Sequence, residues 1–255
     1  MNISARVLCR RLRTADFSIG RLMSDIPVNL KDWRKAYLND EEPFLLESLL
    51  PHRDPFKLYH TWFENVAAKK DLSFEEVNAV CVSTVGQDLR PSSRMVLMKS
   101  YDKEGFTFFS NKTSRKYENI AENKNACMLF YWPSVHRQVR IEGEIRELPV
   151  SDADEYWNSR PLASRIGSKS SVQGAVVPNR EFLLEKKKEL EELAEKEGES
   201  AITRPETWCG FKLIPRYFEF WQGQSNRLHD RIIFSLEKDK GEEVENNWFM
   251  YRLSP

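Results

Sequence analysis

From residue 78 to residue 148 the chain runs through five short apolar stretches, each closed by a tight polar turn or a brief helix. They are NAVCVST (78–84), SSRMVLMKSY (92–101), FTFFS (106–110), ACMLFYW (126–132) and RQVRIEGEIREL (137–148). In the last, Val139, Ile141 and Ile145 share one face with polar residues between them, the two-residue period of a half-buried strand. GQD and DKEG supply turns, and regular strand–helix–strand alternation is missing. That pattern excludes a doubly wound parallel sheet and predicts an antiparallel barrel, mainly β with flanking helices.

The helices read as additions to this scaffold. Asp54-Pro55 opens one, an N-cap followed by proline at the first helical position, with Phe56, Tyr59, Phe63 and Val66 at helical spacing. Thr113/Ser114 caps a short helix running to Ile120, and SDADEYWNSR (151–160) starts another. Residues 180–199 form a long charged helix with Phe182, Leu183, Leu190, Leu193 and Ala194 on one side. CGFKLIPRYFEFWQ (209–222) returns to strand. No repeat or linker divides the chain, so the expected organisation is a basic tail over 1–30 and one domain over 31–255.

Charge and cysteine usage exclude several classes. Lys+Arg and Asp+Glu both number 39 in the 255 residues, so no net field favours nucleic acid or an anionic membrane. No apolar run approaches the roughly 20 residues needed to span a bilayer, and the chain reads as soluble. Cys9, Cys81, Cys127 and Cys209 are far apart; Cys81 and Cys127 sit in apolar runs and read as small core residues in a reducing compartment. The four histidines lack metal-ligand spacing, so no metal is expected. The first 22 residues carry five arginines and one acid, the bias of a mitochondrial presequence. A cytoplasmic protein with a basic tail is the other reading, and the one expected.

Four stretches concentrate chemistry. In RMVLMK (94–99), Arg94 and Lys99 bracket a strand, and their odd separation puts them on opposite faces; the plain alternative is two cations reaching solvent at strand ends. In SNKTSRKYENI (110–120), Arg115 and Lys116 occupy a helix first turn, where the dipole disfavours cations unless an anion binds. With Ser110 they form a phosphate cradle or an ordinary exposed helix start. In YWNSRPLAS (156–164), Tyr156, Arg160 and Ser164 recur at four-residue spacing, a second anion site or a capped helix end that Pro161 interrupts. Finally, WQGQSNRLHDR (221–231) packs polar groups between apolar flanks, either a site or a solvated hairpin.

Taken together, RMVLMK, the SRK helix start, RQVRIEG, SRPLASRIG, FWQGQSNRLHDR and the terminal RLSP resemble the pyridoxine 5′-phosphate oxidase family, in its order and spacing from about residue 33 to the C-terminus. The resemblance implies an FMN-binding split β-barrel that works as a homodimer with sites at the subunit interface. It implies oxidation of pyridoxine 5′-phosphate or pyridoxamine 5′-phosphate to pyridoxal 5′-phosphate by O₂, releasing H₂O₂. Carried over by position, FMN is expected at Arg94, Met95, Val96, Leu97, Phe109, Ser110, Arg115, Lys116, Gln138, Trp221 and Arg231. Substrate phosphate is expected at Lys99, Tyr156, Arg160 and Ser164. Arg227, Leu228 and His229 are expected over the pyridine ring, Arg227 and His229 in catalytic roles, with Arg34, Lys35, Ala36 and Tyr37 closing on it. The family's Gln-Ser pair, which reaches the partner's FMN, is Gln173 and Gly174 here, so a hydroxyl is lost. Two alternatives are a flavin-binding split barrel with another substrate and a non-catalytic pyridoxal 5′-phosphate binding protein.

Overall fold

Asp54 caps the first α-helix as the sequence predicts. In the computed structural model, which describes residues 31, 37, 44–69, 76–238 and 240–255, its Oδ1 accepts hydrogen bonds from the amides of Phe56 and Lys57 at 2.8 and 2.9 Å. Two of the donors left orphaned at the start of α1 (Pro55–Ala67) are thereby satisfied. Tyr37–Pro255 forms one unit. Residues 1–30 and the expected substrate-closing residues Arg34, Lys35 and Ala36 lie outside the described residues. Among those described, no helix is long and apolar enough to cross a membrane.

The described residues form ten strands: β1 (Ala79–Val85), β2 (Pro91–Leu97), β3 (Ser100–Tyr101), β4 (Phe106–Asn111), β5 (Asn125–Trp132), β6 (Arg137–Glu147), β7 (Trp208–Gln222), β8 (Asp230–Ser235), β9 (Glu242–Glu243) and β10 (Phe249–Arg252). They form one antiparallel sheet in the order β2-β1-β5-β6-β7-β8-β10-β9, with β4 pairing β3 and β7. The sheet curls but stays open, a split barrel rather than a closed one. β7 is the hub: its first half pairs β4, its second half pairs β8, and β6 runs along nearly its whole length. The register shifts between Glu142 and Gly143, where Arg216 on β7 is the extra residue of a bulge.

Alternation on β1, β5 and β6 sends Val80, Val82, Met128, Phe130, Val139, Ile141 and Ile145 inward, where α1 plugs the barrel with Leu58, Tyr59, Trp62 and Val66. Tyr59 meets Phe106 edge-on with ring centroids 4.8 Å apart. The same pleat corrects the expectation for two cysteines. Cys81 and Cys127 alternate with these core residues, so they face the other side of the sheet and are half-buried; the buried cysteine is Cys209.

Three further helices, α3 (Val150–Ser159), α4 (Leu162–Lys169) and α5 (Arg180–Glu197), form an annex with its own core: Ala153, Trp157, Ile166, Ala194, Ile202 and Trp208. Trp157 Nε1 donates to the Ile202 carbonyl at 3.0 Å, which ties α3 to the chain after α5. α2 (Arg115–Glu122) follows β4 directly. These attachments place α3 and the α2 start around the β4 end of the sheet, where the site lies.

Candidate active site

Most of the expected cofactor and phosphate ligands line a single cavity of about 520 Å³. Arg94, Met95, Val96 and Leu97 enter from β2, Phe109 and Ser110 from β4, Lys116 from α2, Tyr156 and Arg160 from α3, and Gln173 from the loop after α4; Lys99 completes the set. Four of these are cations, and among the described residues no aspartate or glutamate lines the cavity. A concave surface with four cations and no acid is built for anions.

Three of these cations are held by neutral groups. Arg94 Nη1 donates to the Val82 carbonyl and to Thr84 Oγ1 at 3.1 and 2.8 Å, and Nη2 to Ser92 Oγ at 2.6 Å. The guanidinium is aimed by the β1–β2 hairpin but not neutralised, and burial lowers its pKa, with nearby Arg115 adding to that. Lys116 is buried, and its Nζ donates to Ser110 Oγ at 2.8 Å. Burial first, and Arg94 second, push its pKa down to about 8. Arg160 lies over the rings of Trp157 and Trp208, 5.3 and 5.1 Å from their centroids. Its Nη1 is buried with no hydrogen-bond partner among the described residues, and burial lowers its pKa. An orphaned guanidinium donor and a desolvated ammonium are the features a bound phosphate would satisfy, so the residues fit a phosphorylated cofactor and substrate.

One wall of the cavity is aromatic. Phe109 stacks on Tyr156 with centroids 4.2 Å apart and on Trp208 at 5.1 Å. Trp208, like Asn111, Gly167, Ser168 and Ser171, lines the cavity although the sequence reading did not select it. In the sequence Trp208 reads as the last residue of a loop, ESAITRPETW (199–208), before the strand at 209–222. Its role depends on α3 folding back over that strand.

Three expectations change. Arg94 and Lys99 do not occupy opposite faces of one strand, because β2 ends at Leu97. The amide of Met98 donates to Asn78 and that of Lys99 to Thr107, turning the chain so that both cations line the same cavity. Arg115 and Ser164 are exposed and do not line it. Pro161 separates α3 from α4, so Tyr156, Arg160 and Ser164 do not share one helical face. Gln173 reaches the cavity of its own chain, where its Oε1 accepts from Ser110 Oγ at 3.4 Å. Gly174 has φ +92°, a conformation that disfavours the serine expected by resemblance.

The remaining expected residues lie elsewhere in the chain. Gln138, Trp221 and Arg231 line a cavity of about 300 Å³ with Leu129, Arg140, Glu219 and Pro255, sharing no residue with the first. Leu228 and His229 line a third, beside the C-terminal residues. Arg227 adopts a left-handed conformation (φ 67°) and stands over the Tyr37 ring, 5.5 Å from its centroid. Tyr37 also meets His229 and Trp221 edge-on. His229 Nδ1 accepts from the Gln224 amide at 3.0 Å, which places the proton of the neutral ring on Nε2. Burial and the Arg227 charge lower its pKa, partly opposed by Asp230.

The polar stretch 221–231 is thus both scaffold and site. Gln222, Gln224 and Asp230 are buried and structural: Gln224 Nε2 donates to Asp230 Oδ2 at 2.8 Å, and Asp230 Oδ1 accepts from Arg252 at 2.6 Å. Trp221 and Arg231 instead line the second cavity and His229 the third, with Arg227 exposed over Tyr37. A larger cleft of about 1110 Å³ beside Phe56 and Trp248 contains none of the expected residues; its Lys57 is paired with Glu245 and its Asp102 with Lys212.

An open antiparallel barrel with a cavity lined by four cations defines a split-barrel protein with an anion-binding site. The chain belongs to the pyridoxamine 5′-phosphate oxidase family. The family described as pyridoxamine 5′-phosphate oxidase matches residues 68–193, and the pyridoxine 5′-phosphate oxidase C-terminal dimerisation region matches 208–255. A Caenorhabditis elegans relative is 58% identical over 228 residues, covering 89% of this chain and 98% of that one. The pyridoxine-5′-phosphate oxidase of Bos taurus is 42% identical over 236 residues, covering 89% and 88%. Among solved structures, PhzG from Burkholderia lata 383 in complex with tetrahydrophenazine-1-carboxylic acid superposes with a TM-score of 0.70 at 30% identity, covering 80% of this chain and 94% of that one.

Proposed function

We propose that this chain is an FMN-dependent oxidase that converts pyridoxine 5′-phosphate and pyridoxamine 5′-phosphate to pyridoxal 5′-phosphate, using O₂ and releasing H₂O₂. The observation that carries the reading is the first cavity: Arg94, Lys99, Lys116 and Arg160 converge without a carboxylate, beside a flat aromatic wall. That combination suits two phosphate groups and planar rings better than any neutral substrate.

FMN, when bound, supplies the hydride acceptor for oxidation at the substrate's C4′. The chain's own residues bind and orient. Arg94 and Lys116, with Ser110, suit the cofactor phosphate, and Lys99, Tyr156 and Arg160 suit the substrate phosphate. Each ligand phosphate would satisfy donors that are otherwise desolvated, which favours the bound state. His229 presents Nε2–H, so in its neutral form it donates a hydrogen bond to the substrate rather than accepting a proton at that atom. Arg227, held over Tyr37, adds positive charge beside it. Trp221 and Arg231 belong to the matched dimerisation region and line a cavity separate from the first, which supports a homodimer whose site is completed by residues from both subunits.

The test is the visible absorbance of the purified protein, followed by addition of pyridoxine 5′-phosphate in air. Flavin bands with accumulation of pyridoxal 5′-phosphate and peroxide are expected. Flavin bands without product would indicate a different substrate, and vitamer binding without flavin would indicate a carrier.

A further inference from the structure

Glu219 is a buried carboxylate, 7% exposed, that no part of the reaction described above uses. It sits on β7 two residues before Trp221, on the same face of the strand. Across the sheet it lies opposite Arg140 on β6, and on the other side β8 carries Arg231. Its two oxygens are divided between these arginines. Oε1 accepts from Arg231 Nε at 2.7 Å, and Oε2 accepts from Arg140 Nη2 and Nε at 2.6 and 3.2 Å. Arg231 Nη1 donates to the Ser254 carbonyl at 2.9 Å. Arg140 also pairs with the more exposed Glu142 and donates to the Tyr217 hydroxyl at 3.2 Å. Glu219, Arg140 and Arg231 line one cavity with Gln138 and Trp221.

We infer that Glu219 is a positioning residue that fixes the Arg231 guanidinium and sets how much positive charge it presents to the flavin, with Arg140 as the competitor that shares the carboxylate. The inference rests on the oxidase reading above, in which Trp221 and Arg231 face FMN. The charges count as follows: Arg140 and Arg231 are balanced by Glu142 and Glu219, so the cluster is neutral as built. The two strong interactions keep Glu219 ionised despite its burial. Removing its charge leaves Arg231 uncompensated. Removing Arg140 gives Arg231 the whole carboxylate. Positive charge near a flavin favours its reduced, anionic form, so the two changes move the reduction potential in opposite directions.

The experiment is a dye-equilibrium measurement of the flavin reduction potential in the holoprotein, for wild type, Glu219→Gln and Arg140→Met, with FMN affinity followed by fluorescence. Glu219→Gln is expected to bind reduced relative to oxidised flavin about tenfold more tightly, a positive shift of about 30 mV for a two-electron couple. Arg140→Met is expected to shift negative. A general loosening of the sheet would lower flavin affinity in both variants without giving shifts of opposite sign. Equal potentials in all three proteins, or shifts of the same sign, would overturn the inference. Should Glu219→Gln not fold, the sign for Arg140→Met alone decides it, a zero or positive shift counting against. A wild-type protein that never retains flavin would instead sink the oxidase reading beneath it.

Discussion

Arg160 shows how one side chain acquires a function from its surroundings. Trp157 and Trp208 hold its guanidinium by cation–π contact, and burial leaves Nη1 without a partner. A ligand phosphate can satisfy that donor; water in the folded chain does so poorly. Arg160→Ala is therefore expected to raise KM for pyridoxine 5′-phosphate at least about tenfold, the effect of losing a charge-assisted hydrogen bond. Bound FMN should remain near one per chain. Steady-state kinetics beside the flavin absorbance ratio checks this, and parallel loss of both would refute separate phosphate sites. His229 permits a second residue-scale test. Burial and then Arg227 depress its pKa below 6.5, so the ring is neutral at pH 7. Arg227→Gln removes a repelling cation, so the imidazole pKa is expected to rise toward the ordinary value. An NMR titration of the His229 ring would show it, and an unchanged or lower value would mean the two groups are not coupled.

At the scale of elements, the bulge between β6 and β7 brings the two backbones into close approach. Gly143 sits at the register shift, and a Cβ built there would stand 2.0 Å from the Ile214 carbonyl oxygen on β7. Backbone cannot retreat from that contact without moving a strand. Gly143→Ala is expected to destabilise by about 1–3 kcal/mol, the usual range for overpacking, or more if β7 shifts. Urea denaturation would report it as a lower midpoint at unchanged slope. A neutral result would mean that β6 and β7 slide freely at the bulge. β7 itself connects both cavities, since Trp208 at its start walls the first and Trp221 near its end walls the second.

In the whole molecule, the two sets of expected flavin residues line cavities that share no side chain. Three strands, β1, β5 and β6, lie between β2 and β7 in the sheet order. In the homodimer proposed above, a two-fold axis would bring the two patches together, each site drawing one set from each subunit. Arg160→Ala and Arg231→Ala, each impaired alone, should therefore complement when the subunits are mixed and allowed to exchange. Random pairing under two-fold symmetry restores about a quarter of wild-type sites, because half the dimers are mixed and each has one intact site. Activity that stays at the sum of the two variants would place both arginines in a site within one chain.

Much of this was legible in the chain itself. Asp54-Pro55 announced α1 through capping chemistry, and two-residue alternation announced β6, because both signals are local. The long polar motif at 221–231 marked the site region, although it did not show that Gln222, Gln224 and Asp230 are committed to holding the hairpin. What depended on distant contacts was not legible. The end of β2 at Leu97 is set by amide bonds from Met98 and Lys99 to Asn78 and Thr107, and it turns two cations from opposite faces into one cavity. Cys81 reads as core from its apolar neighbours, yet the pleat assigns it to the other face. Trp208 becomes a site wall, and Glu219 the shared partner of two arginines, only when strands and helices far apart in sequence meet. Local propensity and capping act over a few residues and can be read in order. The direction of a side chain, its burial and the charge of its neighbours are properties of tertiary packing, and they decided which residues form the site.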